Sequence, residues 1–374
     1  MSNSRTENCT TCHHLKIDNC VLRNDPIELP NWTNCENWNV ETLTPTGTLF
    51  SLISESKNKV ITHHVIPYYN GSRVDAYREG LENSYLGLKT LDETTFVFED
   101  VKEYLSFFEK EQEKKKHFIL GAIIGDCIGS IFEFHNFKST DFHLFGKETT
   151  FSDDSVLTLA TMDSILNHVD YTKVYQTFGR NYTNRGYGGN FLYWIYMDEP
   201  EPYLSFGNGS AMRVSPVGWA YDNIDEVLKQ AKRSAEVTHN HPEGIKGAQA
   251  TASAIFLART GKSKIEIKEF IETMFEYNLD RTIQDIRRGY SFDESCQDSV
   301  PEAIIAFLES TDFESAIRLA ISLGGDSDTI ACIAGSISEA FYKEIPEFIV
   351  ENTLKLLPGE LIKLIDEFSG KYGK

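Results

Sequence analysis

Several things the sequence lacks narrow it at once. In its 374 residues no uninterrupted apolar run approaches the roughly 18 residues needed to cross a bilayer. The amino terminus, MSNSRTENCTTC, has no apolar core of the kind a secretory leader carries. Basic residues are in short supply: 36 Lys and Arg stand against 56 Asp and Glu, a formal net charge of −20. Such an acidic chain argues against a nucleic-acid packager and against a protein that lies on anionic lipid. The cysteines are seven, an odd number in a chain too long to need disulfide staples. The expectation is a cytoplasmic protein with no membrane partner.

What remains is ordinary globular composition, 41% hydrophobic and 25% charged, in a chain long enough for about two domains. The character changes near residue 112. Residues 1–112 hold four cysteines (Cys9, Cys12, Cys20, Cys35), the pairs His13-His14 and His63-His64, and short alternating stretches. Strands are expected at 46–53, 59–66 and 94–98, with a polar hairpin loop over 54–58 and an amphipathic helix from Glu99 to about Glu111. That is a small α+β module. The charged run 111–116 reads as a solvated helix end or linker.

From 117 to 372 the chain reads as helix after helix, an all-α domain. Helices are expected at 120–134, 154–168, 224–236, 244–259, 301–308, 313–323 and 329–341. In the first of these Gly121, Gly125 and Gly129 recur every four residues, which implies a close approach to another helix despite their low helix propensity. Cys127, Cys296 and Cys332 sit among small or apolar residues and read as buried thiols.

Two segments carry chemistry. Ser152-Asp153-Asp154-Ser155 runs into the apolar stretch Val156–Ala160, and Gly324-Gly325-Asp326-Ser327-Asp328-Thr329 runs into Ile330–Gly335. Plain helix capping accounts for one Ser or Asp at each start. It does not account for a second carboxylate packed against a core, which is expensive unless a cation neutralises it. Hard divalent cations take carboxylate, hydroxyl and water oxygens, so a metal site is favoured over simple caps. Glu133 adds an acid at the end of an otherwise apolar helix, and Asp126, between glycines of that helix, reads as a buried hydrogen-bond acceptor.

These motifs resemble the ADP-ribosylglycohydrolases, a family that includes the bacterial dinitrogenase reductase-activating glycohydrolases and the ADP-ribosyl-arginine and ADP-ribosyl-serine hydrolases. The likeness spans about residues 118–370. It rests on Gly125-Asp-Cys-Ile-Gly-Ser with Glu133, on Ser152–Ser155, on Gly324–Thr329, on Phe206-Gly207-Asn208-Gly209-Ser210-Ala211-Met212-Arg213, and on Thr238-His239. The family's first acidic motif has threonines where Ser152 and Ser155 stand, which keeps both hydroxyls. The resemblance implies an all-α fold with two Mg²⁺ or Mn²⁺ ions in a central cleft. Ser152, Asp153 and Asp154 would bind metal from one helix start, and Asp326, Asp328 and Thr329 from the other, with Asp328 bridging. It further implies hydrolysis at the ribose anomeric carbon, which frees ADP-ribose and the unmodified acceptor. Glu133, Asp153, Asp154 and Asp326 are the catalytic candidates, and which carboxylate is the base stays open.

The stretch 183–190 is a glycine-rich loop, and glycines let backbone approach a phosphate. By the same resemblance Tyr187, Gly188 and Gly189 bind the ADP part, and Asn208, Gly209, Ser210, Met212 and His239 line the ADP-ribose cleft. Arg213 fits a phosphate contact and a buried ion pair equally. His241, before Pro242, reads as structural. Clefts of this family handle arginine, serine, a nucleic-acid base and O-acetyl-ADP-ribose, and of these a protein arginine is the acceptor expected here. The competing readings are an ADP-ribose-binding regulatory or immunity module without turnover, and a dinuclear phosphoester hydrolase. In the amino-terminal module Cys9, Cys12, Cys20 and Cys35 can make a Zn²⁺ site or hold an iron–sulfur cluster, with free thiols as the equal alternative. Target recognition or oligomerisation is the role expected of that module.

Overall fold

The computed structural model describes residues 119–373 in full and, in backbone alone, four strands nearer the amino terminus. The chain divides into two compact units, 1–115 and 116–374. In the first, β1 (Trp38–Thr42), β2 (Phe50–Ser56), β3 (Lys59–Val65) and β4 (Thr95–Phe98) pair antiparallel in chain order. Strand β1 was not expected. The β2–β3 ladder continues to Ser56↔Lys59, so Ser54, Glu55 and Ser56 belong to the strand and not to the hairpin loop assigned to them. Cys9, Cys12, Cys20, Cys35 and the helix expected over 99–111 lie outside the described residues.

In the second unit the described elements are helices, joined by loops and one isolated bridge between Gly207 and Ser295. In chain order the helices are α1 (Gly121–Gly129), α2 (Asp153–Asn167), α3 (Tyr171–Asn181), α4 (Gly189–Trp194), α5 (Gly209–Met212), α6 (Ser215–Ala220), α7 (Ile224–Glu236), α8 (Pro242–Arg259), α9 (Lys264–Phe275), α10 (Ile283–Gly289), α11 (Cys296–Glu309), α12 (Phe313–Ile321), α13 (Ser327–Tyr342), α14 (Glu347–Leu354) and α15 (Gly359–Tyr372). None is long and apolar enough to cross a membrane.

Helix α13 is the axis of this unit. Every residue from Ser327 to Ala340 is buried, as a helix apolar on all sides demands, and α1, α8, α11 and α12 surround it. The tightest of these contacts is with α1, and the glycine stripe makes it possible. A Cβ placed on Gly125 would sit 2.0 Å from the Ala331 carbonyl oxygen, and one on Gly129 2.4 Å from the Asp328 Cα. Backbone therefore lies on backbone along this seam, which brings Asp126 of α1 to the acidic start of α13. Glu339, fully buried on α13, accepts from the Leu120 and Gly121 amides at 2.9 and 2.8 Å and so caps α1 from outside. Burial pushes its carboxyl up to about 8.

Two helix boundaries differ from expectation by five residues, more than the others. Helix α1 stops at Gly129, and the residues that follow turn back with Asn136 left-handed at φ 44°. Phe132 packs on Phe137 and Phe142 at 4.8 Å each, so this aromatic cluster holds a turn where the apolar pattern suggested more helix. Glu133 consequently lies in a turn and not at a helix end. Helix α11 begins at Cys296, five residues before Pro301, because the Cys296 amide is tied to the Phe206 carbonyl at 2.9 Å and the first turn gains tertiary support.

Candidate active site

The start of α2 is assembled from two helices. Ser152 takes the N-cap position and its hydroxyl accepts from the Asp154 amide at 3.2 Å. Asp126, reaching across from α1, accepts from the Ser152 amide at 2.9 Å, the Ser155 amide at 3.1 Å and the Ser155 hydroxyl. Asp126 is thus the buried acceptor expected of it, and it satisfies the orphan donors of this helix end. Asp154 is spared that duty. Its Oδ2 lies 3.3 Å from both the Ser152 and Thr329 hydroxyls, while its Oδ1 is buried without any hydrogen-bond partner.

The start of α13 is built differently. Gly324 and Gly325 both take left-handed φ, 71° and 73°, a pair of conformations that side chains avoid, and they swing the chain into the helix. Lys138 braces this turn by donating to the carbonyls of Tyr290, at 2.6 Å, and Leu323. Asp326 occupies the N-cap position yet makes no side-chain capping bond. Its Oδ2 accepts instead from the Asn208 side-chain amide at 2.6 Å. Asp328 accepts from the Thr329 amide at 2.9 Å.

These pieces converge on two acid clusters. Asp126, Asp154 and Asp328 form one, and Glu133, Asp326 and Asp328 form the other, each with three carboxylate oxygens within 4.8 Å of one another. Asp328 belongs to both. Burial raises the carboxyls of Asp154 and Asp328 well above the usual range, and the neighbouring aspartates raise them further. Burial also raises Asp126 and Asp326, against the opposing pull of their hydrogen bonds. Glu133, half-buried, is pushed up to about 7 by burial and then by Asp326, Asp126 and Glu294. This mutual repulsion is what a divalent cation relieves. The all-oxygen donor set, the adjacent Ser152 and Thr329 hydroxyls and the orphaned Asp154 Oδ1 fit a hard cation such as Mg²⁺ or Mn²⁺.

The remaining predicted residues surround these clusters. Asp153 enters neither: its amide donates to the Arg185 carbonyl at 2.7 Å and its Oδ1 faces Gly186 of the glycine-rich loop. Burial, with Asp126 adding repulsion, raises its carboxyl well above the usual range. Tyr187 is buried; its hydroxyl donates to the Tyr182 carbonyl at 2.9 Å and its ring stacks on Phe191 at 5.4 Å, which stacks on Trp194. A Cβ on Gly188 or Gly189 would meet nothing within 4 Å, so this backbone faces open space. Asn208 also bonds the Ser299 hydroxyl at 3.1 Å, and the buried Ser210 donates to the Gly244 carbonyl at 2.6 Å. The Met212 sulfur lies 4.0 Å from the Thr329 hydroxyl. His239 is buried against Gly209, and burial together with Arg213 lowers its pKa well below the usual histidine range. Arg213 itself is fully buried, and among the described residues no carboxylate pairs with it. His241 caps α8, its Nδ1 accepting from the Glu243 amide at 3.2 Å. Sequence reasoning missed Lys138 and Glu339, which carry no motif; only their distant partners give them meaning.

Residues 109–374 match the ADP-ribosylglycohydrolase family. ADP-ribosylhydrolase ARH3 of Mus musculus is 29% identical over 61% of this chain and 84% of its own length, and that of Homo sapiens is 29% identical over 61% and 86%. The ADP-ribosylarginine hydrolase Tri1 of Pseudomonas putida is 24% identical over 63% of this chain and 72% of its own. A solved ADP-ribosylglycohydrolase-related protein complex superposes with a TM-score of 0.54 at 24% identity, over 68% of this chain and 96% of that one, and supports the all-helical fold. The chain therefore belongs to the ADP-ribosylglycohydrolase family, hydrolases of glycosidic bonds.

Proposed function

We propose that this cleft removes ADP-ribose from modified arginine side chains of proteins by hydrolysing the bond at the ribose anomeric carbon. The observation that carries the reading is the pair of acid clusters joined through Asp328, with a buried Asp154 oxygen left unpartnered. Asp154, Asp326 and Asp328, with Ser152 and Thr329, would hold two Mg²⁺ or Mn²⁺ ions. Cations there supply positive charge that orients the ribose hydroxyls and makes a bound water more acidic.

The chain's own residues divide the remaining work. Asp126 holds the start of α2 in register with α13. Glu133, half-buried at the edge of its cluster, is suited to take a proton from the attacking water as the oxocarbenium-like centre forms. Asn208 fixes the carboxylate of Asp326, and Asp153 turns toward the glycine-rich loop where Gly188 and Gly189 leave room for a diphosphate. The Tyr187–Phe191–Trp194 stack underlies that loop and is assigned to the adenine end. An arginine acceptor is favoured by the activity for which the Pseudomonas putida relative is named and by the acidic environment of Glu133, which includes Glu294. We assign the amino-terminal unit to target recognition or oligomerisation, and the protein to the cytoplasm.

The test is release of ADP-ribose from arginine- and from serine-modified proteins, with Mg²⁺, with chelator, and by Asp326→Ala. Metal-dependent release from the arginine substrate, lost in the variant, is the expected result. Release from serine alone would replace the acceptor. ADP-ribose binding with no release from either would replace the enzyme by a binding module.

A further inference from the structure

Two exposed phenylalanines from separate segments meet beside the acid clusters. Phe134 is 78% exposed and Phe292 43%, and their rings stack at 5.9 Å with an interplanar angle of 24°. The pair is not what holds either segment. The turn that carries Phe134 is fastened by the Phe132–Phe137–Phe142 cluster and by Lys138, whose ammonium is turned inward to the Tyr290 and Leu323 carbonyls. The segment that carries Phe292 is fastened further on, where the Glu294 carbonyl accepts from the Asn208 amide at 2.7 Å and Gly207 bridges Ser295. Two phenyl rings left in water next to gathered carboxylates call for an occupant.

The same two segments also bring carboxylates together. Glu133, the residue before Phe134, belongs to the cluster with Asp326 and Asp328. Glu294, two residues after Phe292, is exposed and near enough to repel Glu133. Asp293 is already in use, its Oδ1 accepting from the Ser295 amide at 2.7 Å. The Glu294 carboxylate makes no hydrogen bond or ion pair with any described residue. Each segment thus supplies one ring and one acid, and the rings meet across the gap.

This combination selects a chemistry. A ring face attracts a cation, and a flat guanidinium lies on it better than an ammonium does. A carboxylate beside the ring accepts from the N–H groups of the same fork. A serine side chain has neither plane nor charge, and an anion is repelled by Glu133 and Glu294.

We infer that Phe134 and Phe292, with Glu294, form the acceptor subsite: the rings take the face of an arginine guanidinium and Glu294 takes its free N–H groups. These three residues then set the preference for a guanidinium acceptor over an uncharged one. That this acceptor is cut from ADP-ribose rests on the function proposed above; the affinity of the subsite for a guanidinium does not. An arginine linked through one guanidinium nitrogen keeps its plane and its charge, so the subsite holds it before and after the bond breaks.

The test uses the full-length protein and two readouts. The first is saturation-transfer NMR of ethylguanidinium in the presence of Mg²⁺ and ADP-ribose. Transfer to the guanidinium is expected, and its loss in the double variant Phe134→Leu, Phe292→Leu, which keeps apolar bulk and removes the ring faces. The second is ADP-ribose release from an arginine-modified peptide. There KM should rise about tenfold in the double variant, as for loss of cation–π contact. A rise of about tenfold is also expected in Glu294→Gln, as for one charge-assisted hydrogen bond. Phe134→Trp keeps a ring face and should keep the KM of the unsubstituted protein. Calorimetric affinity for ADP-ribose alone should not change in any of these variants. Transfer that survives in the double variant, or an unchanged KM there, would overturn the inference. So would a matching loss of ADP-ribose affinity, which would put the rings at the nucleotide. Ethylguanidinium binding without release from the arginine-modified peptide would overturn the proposed reaction and leave the subsite standing.

Discussion

The two acidic helix starts look alike in sequence and are built on different principles. At α2 the ordinary needs of a helix end are met by Ser152 and, from another helix, by Asp126, and this frees Asp154. At α13 the N-cap residue Asp326 makes no side-chain capping bond and accepts from Asn208, on a turn made of two left-handed glycines, while Asp328 takes the Thr329 amide. A Ser or Asp at a helix start is therefore no evidence for ligation until the donors of that helix end are accounted for. Here they are satisfied at α2 by Asp126, outside the proposed ligand set, and by the Ser152 hydroxyl, so no carboxylate of α2 itself is spent on capping, and the surplus carboxylates of both starts meet around Asp328.

The largest effect on this arrangement should come from the seam that joins the two starts. Gly125→Ala drives a methyl into the Ala331 carbonyl, and a loss of roughly 3 kcal/mol or more in a denaturant melt is expected, with activity falling alongside. Next is Asp328→Asn, which removes the residue common to both clusters. ADP-ribose release should fall by about 10³-fold, comparable to loss of a principal electrostatic group, while circular dichroism stays unchanged. Asp126→Asn should separate structure from chemistry: it sets an amide against the donors of α2 and should cost about 1–3 kcal/mol of stability. The corresponding test at α13 is Asn208→Ala, where little stability but a weakened cation affinity is expected.

The smallest effect is the dependence on pH. The carboxyls of Asp126, Asp154, Asp328 and Glu339 are all raised in the folded state. A raised carboxyl contributes stability that is fully present below its unfolded pKa, about 4, and is lost as pH rises through the folded value. The cation-free protein should therefore melt at lower temperature at pH 8 than at pH 5, and added Mg²⁺ should raise the melting temperature more at pH 8. Equal shifts at the two pH values would mean that the acids are not what the cation relieves.

Much of this was legible in the sequence because it is local. The glycine spacing in α1 announced the close helix contact, and the paired aspartates announced the clusters, since both are patterns within one element. Asp153 is adjacent to Asp154, but a helix turns neighbours by about 100°, so its Oδ1 faces Gly186 of the glycine-rich loop, a direction no motif states. Amphipathic α15, with Leu361, Ile365 and Phe368 inward, carries a helical spacing that is local and readable. Glu339 and Lys138 were not readable, because their partners lie 218 and 185 residues away along the chain. The same holds for Arg213, whose burial without a carboxylate neither sequence alternative foresaw.

The most direct measurement is calorimetric titration of Mn²⁺ into chelator-treated protein, comparing the unsubstituted chain with Asp328→Asn and Asp126→Asn. Two bound equivalents are expected, with both weakened by Asp328→Asn and neither abolished by Asp126→Asn if its fold is retained. Binding by Asp328→Asn with unaltered stoichiometry and affinity would contradict a shared centre at Asp328.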